Sequence, residues 1–326
     1  MKTWISAYLY YAEPWDVFLR KGVNPFVKKV LKEKLATGYF FIRYWERGPH
    51  IRLRFSGEQQ ALDEKLKPFI TEHFESYFKQ HPSSRVDPPG LETLPATQQW
   101  FPNNSVQFIP YEPEIQRYGG EMAISVAEQQ FQASSDAVMG VMNDTWNYER
   151  ALGTAIQMHL SFAHTLGMDI AETAEFYSYI FHSWLPMAYN GFAQGMSREK
   201  QIELQNEAIK AFEQQFVLQE AMLVPYHQMI LEALNEKTDF EEDWLNKWIA
   251  DTGIVYGHLK GLQDIGKIEY PDRYAFSKPF QTREERRQLW SIYASYVHMT
   301  NNRLGIQNRD EGYLGYLIMK SLECVC

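Results

Sequence analysis

The segment His50-Ile51-Arg52-Leu53-Arg54-Phe55 alternates basic and apolar residues. Side chains two apart on a strand project the same way, so Ile51, Leu53 and Phe55 share one face and His50, Arg52 and Arg54 the other. Two guanidinium groups and an imidazole on one face form a ready site for a carboxylate or an oxyanion, because arginine stays charged when partly buried and grips a carboxylate through two parallel donors. The competing reading is a structural ion-pair network with glutamates. A second group is Tyr111-Glu-Pro-Glu-Ile-Gln-Arg-Tyr-Gly-Gly120, where Glu114 and Arg117 are spaced to touch on a helical turn, and Gly119-Gly120 permits a tight bend or close backbone approach. Its plain alternative is a connector carrying a local salt bridge. The third is Tyr296-Val-His298-Met-Thr-Asn-Asn-Arg303-Leu-Gly305. An imidazole titrates near pH ~6.5, so His298 suits general acid–base work, although a lone helical histidine is commonly a packing residue.

These groups must be positioned by the elements around them. Residues 3–11, 38–44, 51–55 and 105–111 read as strands, β-branched and aromatic with a two-residue period. Helical spacing is expected from Glu13-Pro-Trp-Asp to about Leu35 and over 58–80, with Pro68 a kink or break. The Gly48-Pro49 pair punctuates a hairpin, and a Pro- and Ser-containing linker spans 81–103. The order β-α-β-β-α-β is the ferredoxin-like split βαβ unit, with the first and third strands central and both helices on one face. Arg52 and Arg54 then lie mid-sheet on the face without helices. From Gly120 onward the pattern is helical, with helices expected at 121–147, 148–167, 170–187, 198–217, 218–235, 241–264, 281–302 and 309–322. The irregular stretch 265–280 is expected to be a loop near the site. The fold expected is α+β: an antiparallel sheet portion over 1–118 and a mainly helical portion over 119–326, sharing one active-site interface.

Bulk properties exclude several classes. The chain of 326 residues has 45% hydrophobic and 22% charged residues, as a globular protein does. The 20 Tyr, 20 Phe and 9 Trp suit a bulky core or a peptide-handling surface. A net charge of -9, from 32 basic and 41 acidic residues, argues against direct nucleic-acid binding. No apolar run reaches the roughly 18 residues of a membrane span, and the start lacks a secretory signal, so a cytoplasmic protein is expected. The two cysteines, Cys324 and Cys326, offer neither a disulfide framework nor a metal site. His159 and His164 are five apart, not the spacing of a zinc-binding helix. Phosphate loops, dinucleotide fingerprints and nucleophile elbows are missing. The expectation is a reaction run by side chains, with no cofactor and no metal.

Together, Tyr39-Phe-Phe-Ile-Arg-Tyr44 through His50–Phe55, the block 111–120 and the block 298–304 resemble the C-terminal elimination domain of class I lantibiotic dehydratases, also known as the thiopeptide-type bacteriocin biosynthesis domain. The resemblance runs over nearly the whole chain, with the three blocks in order and correctly separated. It implies removal of glutamate from glutamylated Ser or Thr of a ribosomal precursor peptide, leaving dehydroalanine or dehydrobutyrine. It places the catalytic set on Arg52, Arg54, Glu114, Arg117 and His298, with His50, Tyr118 and Arg303 as substrate-binding neighbours. The large tRNA-dependent glutamylating portion of the full-length enzymes is not in these 326 residues. The resemblance therefore implies the second half of a split dehydratase, whose partners are a precursor peptide and a separate glutamyl-tRNA-dependent glutamylating protein.

The chemistry asks for such a set. β-Elimination needs a base for a weakly acidic Cα proton and cations for the enolate-like charge and the departing carboxylate. His298 is the expected proton-transfer group, the arginines the expected anion holders, and Glu114 either an orienting group or the alternative base. Two other readings remain open: a pyridine-forming [4+2] cyclase of thiopeptide biosynthesis, whose stand-alone members tend to lose the charged set, and a non-catalytic peptide-binding scaffold.

Overall fold

A computed structural model describes residues 3–189, 195–271 and 280–325. The chain divides into two compact units, residues 1–113 with 131–146, and residues 114–130 with 147–326.

The first unit holds strands β1 (Thr3–Tyr10), β2 (Gly38–Tyr44), β3 (His50–Gly57) and β4 (Ser105–Phe108). All pairs are antiparallel in the order β2-β3-β1-β4, as the split βαβ pattern requires. β4 is shorter than its expected 105–111 span, because Pro110 has no backbone N–H to continue the ladder.

The two crossovers are helical and share a device. Helix α1 (Asp16–Phe18) passes through a π-turn, Leu19–Val23, into α2 (Asn24–Lys32). Helix α3 (Gln59–Ala61) passes through a π-turn, Leu62–Leu66, into α4 (Lys67–Gln80). Each π-turn directly precedes a proline-bearing first turn, at Pro25 and Pro68. A proline lacks one N–H and crowds the carbonyl a turn earlier, and the wider π-turn leaves room for its ring without ending the helix. The expected break at Pro68 is thus a local widening. Ile51, Leu53 and Phe55 are fully buried, and Phe55 meets Phe26 of α2 at 6.1 Å between ring centroids.

The segment 131–146 also belongs to this unit. It carries the second half of α5 (Ile124–Val141), whose Ser135 Oγ accepts the backbone N–H of Phe41 on the edge strand β2. Capping that edge removes an otherwise open hydrogen-bonding strand.

The second unit is helical: α6 (Tyr148–Thr165), α7 (Ile170–Tyr189), α8 (Arg198–Glu236), α9 (Asp243–Asp264), α10 (Glu284–Arg287), α11 (Trp290–Leu304) and α12 (Asn308–Glu323). Three expectations need correction. The helices expected at 198–217 and 218–235 are one 39-residue helix, because Phe216, Leu223, His227, Ile230 and Leu234 continue one buried stripe and Pro225 sits on the exposed side. The helix expected at 281–302 is instead α10 followed by α11, and that expected at 121–147 covers only 124–141. Of the expected loop 265–280, residues 272–279 lie outside the described residues.

α7 and α12 pack backbone to backbone. A Cβ on Gly315 would stand 3.0 Å from the backbone nitrogen of Phe181, so only glycine allows the approach. That contact matters because Trp184 of α7 and Glu311 of α12 both reach His298.

Candidate active site

The sequence-designated residues fall into two sets, one in each unit. His50, Arg52 and Arg54 belong to the sheet unit; Glu114, Arg117, Tyr118, His298 and Arg303 belong to the helical unit.

On the sheet, register places Arg54 between Ser6 and Phe40, Arg52 between Tyr8 and Ile42, and His50 between Tyr10 and Tyr44. Arg54 is 6% exposed. Its Nε donates to Ser6 Oγ at 3.3 Å, and its guanidinium lies 4.3 Å from the Tyr111 ring centroid and 5.3 Å from that of Phe40. Burial pushes its pKa down, against the pull of the neighbouring tyrosines. No carboxylate among the described residues pairs with it. A buried cation without a counter-ion costs several kcal/mol, so the arrangement favours an incoming anion.

Arg52 is held differently. Its Nη2 contacts Glu46 Oε2 at 3.1 Å, its Nε donates to His50 Nε2 at 3.1 Å, and its guanidinium stacks 3.5 Å from the Tyr44 centroid. Glu46 is mostly exposed, so this pair is a weak restraint that a better anion can displace. His50 is fully buried with both ring nitrogens engaged: Nδ1–H donates to the Gly48 carbonyl at 2.7 Å and Nε2 accepts from Arg52. Burial first, then the charges of Arg52 and Arg54, lower its pKa to about 4. His50 is therefore neutral at pH 7 and orients Arg52 rather than adding positive charge.

In the helical unit, Glu114 leads into a 3₁₀ turn, Ile115–Tyr118, that ends at two successive left-handed glycines, Gly119 at φ 95° and Gly120 at φ 92°. A Cβ on Gly119 would sit 2.9 Å from Ile292 of α11, so this turn lies directly on that helix. Arg117 Nη1 meets Glu114 Oε2 at 3.0 Å and its Nε donates to Ser295 Oγ at 3.2 Å. Tyr118 is buried and stacks on Tyr296 at 5.9 Å. Arg303 is fully buried and its Nη1 donates to the Met299 carbonyl at 2.8 Å. Tyr118 and Arg303 thus anchor the backbone that carries Arg117 and His298.

His298 is the best-defined reactive group. Its Nδ1 lies 2.8 Å from Glu311 Oε1, and its ring stacks on Trp184 at 4.6 Å. Glu311 is 1% exposed, and its other oxygen accepts from Asn301 Nδ2 at 3.1 Å. Asn301 Oδ1 in turn meets His159 Nε2 at 2.8 Å, and burial lowers the His159 pKa to about 4. With Nδ1–H donated to a carboxylate, the lone pair of His298 rests on Nε2, which has no hydrogen-bond partner among the described residues. Such an imidazole can take a proton. Sequence reasoning missed Glu311, although its phase was a signal: 311, 314, 315, 318 and 322 form the buried stripe of α12, so a glutamate stands at a core position.

Residues 4–322 match the family model described as lantibiotic biosynthesis dehydratase C-term. The chain belongs to this family. The subtilin biosynthesis protein SpaB of Bacillus subtilis is 25% identical over 275 residues, covering 84% of this chain and 21% of SpaB. The chain thus spans about a fifth of that curated relative's length. In structure, the pyridine synthase TbtD from thiomuracin biosynthesis shares the fold with a TM-score of 0.71 at 17% identity, over 99% of this chain and 98% of TbtD. The tRNA dependent lantibiotic dehydratase MibB from Microbispora sp. 107891 gives 0.57 at 18% identity, over 99% of this chain and 28% of MibB. Among the described residues no three His, Cys, Asp or Glu side chains gather as a metal-ligand set, and no helix is long and apolar enough to cross a membrane.

Proposed function

We propose that this member of the dehydratase C-terminal family, which serves the biosynthesis of ribosomally made modified peptides, eliminates glutamate from glutamylated Ser or Thr. The observation that carries the reading is Arg54, a buried guanidinium with no carboxylate partner among the described residues, beside a second arginine whose carboxylate partner there is an exposed glutamate. Both sets of residues act on one substrate in this proposal. His298 Nε2 removes the Cα proton; the electron pair becomes the Cα–Cβ double bond; the Cβ–O bond breaks and the glutamyl group leaves as its α- or γ-carboxylate. Glu311 holds the imidazole in the tautomer that presents Nε2 and stabilises the imidazolium formed. Arg52 and Arg54 hold the departing carboxylate, and Arg117, oriented by Glu114, stabilises negative charge on the peptide carbonyl. Glu114 is engaged with Arg117, which favours the orienting role over that of base.

The substrate must come from a glutamyl-transfer reaction on a precursor peptide, so the proposed partners are that peptide and a separate glutamylating protein in the same cytoplasm. The test is to incubate the purified chain with a peptide glutamylated on Ser or Thr. Free glutamate and a peptide lighter by one water than its unmodified form are expected. An unchanged glutamylated mass overturns the reading. Full-length likeness to a pyridine synthase supports a second reading, so a peptide already bearing two dehydroalanines belongs in the same assay. Conversion of that peptide with no action on the glutamylated one would establish cyclisation instead.

A further inference from the structure

The face of β1 that looks the same way as Arg52 and Arg54 carries Ser6, Tyr8 and Tyr10, because directly paired residues of antiparallel strands share a face. Ser6 is opposite Arg54, Tyr8 opposite Arg52 and Tyr10 opposite His50. Tyr8 stands in the middle of this row and touches all three basic side chains. Its ring centroid lies 4.7 Å from the Arg52 guanidinium. The same ring stacks on His50 at 4.9 Å between centroids, with the planes 15° apart. Its hydroxyl reaches diagonally along the sheet and is a hydrogen-bond partner of Arg54. A phenylalanine would make the ring contacts equally well, so the hydroxyl needs a reason of its own. Tyr8 is 7% exposed, and a buried hydroxyl has both a proton to give and lone pairs to fill. A guanidinium only donates, so in the bond with Arg54 the Tyr8 oxygen accepts. Its own proton then has no acceptor among the described residues.

We infer that the Tyr8 hydroxyl is a third donor to the carboxylate that Arg52 and Arg54 hold, an assignment that rests on the elimination reading for the identity of that carboxylate. A carboxylate drawn to Arg54 meets the Tyr8 hydroxyl as well, because the hydroxyl is already bonded to that guanidinium. The anion supplies the acceptor that the phenol proton lacks, and its several lone pairs have room for a hydroxyl beside two guanidinium groups. A neutral donor suits this place. A third cation between Arg52 and Arg54 would add repulsion before any substrate arrived, whereas a hydroxyl adds none. No proton changes hands with Tyr8. As the Cβ–O bond breaks, its electron pair stays on the departing carboxylate, and the hydrogen bond from Tyr8 strengthens as charge builds there. The stacked ring also fixes His50 and Arg52, so one side chain both supports the arginine pair and completes it. Sequence reasoning passed over Tyr8, which reads as one more aromatic residue in a strand of them.

Calorimetric titration of the full chain with glutamate, beside single-turnover release from a peptide glutamylated on Ser, tests it. Tyr8→Phe keeps the ring, and with it the contacts to Arg52 and His50, and removes only the hydroxyl. Glutamate affinity and the rate of release are each expected to fall by about ten- to a hundredfold, the effect of losing one hydrogen bond to a charged group. Tyr10→Phe is the control, since Tyr10 packs on His50 at 4.6 Å from the same face of β1. It should bind and release glutamate as the wild type does, and circular dichroism should be unchanged in both variants. A Tyr8→Phe chain that matches the wild type in both assays overturns the inference and leaves elimination standing. An equal loss in Tyr10→Phe overturns it too, because any hydroxyl of that face would then have the same effect. A wild-type chain that binds glutamate through the hydroxyl yet releases none overturns elimination and keeps Tyr8 as a carboxylate donor. A wild-type chain that neither binds nor releases glutamate overturns both.

Discussion

Arg54 and His298 are built on opposite principles. Arg54 is a buried cation with no carboxylate partner among the described residues, held by the hydroxyls of Ser6 and Tyr8 and by two aromatic faces. His298 has its anion supplied by the protein, and Glu311 is itself fixed by Asn301 and, through it, His159. In the proposed reaction the first group is completed by a negative substrate group, and the second, oriented before the substrate arrives, takes a proton in one direction.

The contrast can be broken in order of expected effect. His298→Ala removes the proton acceptor and should slow glutamate release by about 10³–10⁴-fold while leaving secondary structure intact, measured by single-turnover mass spectrometry. Release at the wild-type rate would remove His298 from the mechanism. Arg54→Met should cost about 10²–10³-fold in release yet leave thermal stability equal or raised, because an apolar side chain replaces an uncompensated buried charge. A large fall in Tm would mean that Arg54 has a structural anion after all. Glu311→Gln keeps the shape but loses the carboxylate that accepts Nδ1–H of His298, and should cut release by about 10–100-fold. Release at the wild-type rate would reduce Glu311 to packing.

Stability itself should depend on acid. His50, His159 and His227 are held near pKa 4 by burial, against 6.5 in the unfolded chain. Between those values the unfolded state binds protons that the folded state refuses, so stability is full above pH 6.5 and falls as pH drops toward 4. Denaturation curves should show this slope, and His159→Gln should reduce it by up to one proton. The smallest effect is expected at Glu46→Gln, which removes only an exposed partner of Arg52 and should change stability by less than about 1 kcal/mol.

Much of this was legible in the residues. The period of His50–Phe55 placed three side chains on each face of one strand, and Ile51, Leu53 and Phe55 are fully buried, while on the other face His50 and Arg54 are buried too, which the period did not signal. The β-α-β-β-α-β order led to the sheet order found. Glu114 and Arg117 do touch across one helical turn. Less legible were features that depend on what lies alongside. Pro68 signalled a break, but the π-turn before it keeps the helix running. Residues 198–236 gave no reason to end a helix at 217, and the buried stripe carries straight through.

What the sequence determined by itself is therefore periodic and local: which residues share a face, where strands and helices alternate, and which side chains have the chemistry to bind an anion or move a proton. Tertiary structure alone decided how each was equipped. Arg52 and Arg54 are two residues apart with the same side chain, yet among the described residues Arg52 meets an exposed glutamate of the β2–β3 turn, while Arg54 meets no carboxylate and lies against Ser6, Phe40 and Tyr111. His298 and Glu311 are thirteen residues apart on different helices, and Gly305 and the close α7–α12 packing bring the carboxylate to Nδ1. Electrostatic environment falls off over a few ångströms of space, and distance along the chain does not measure it.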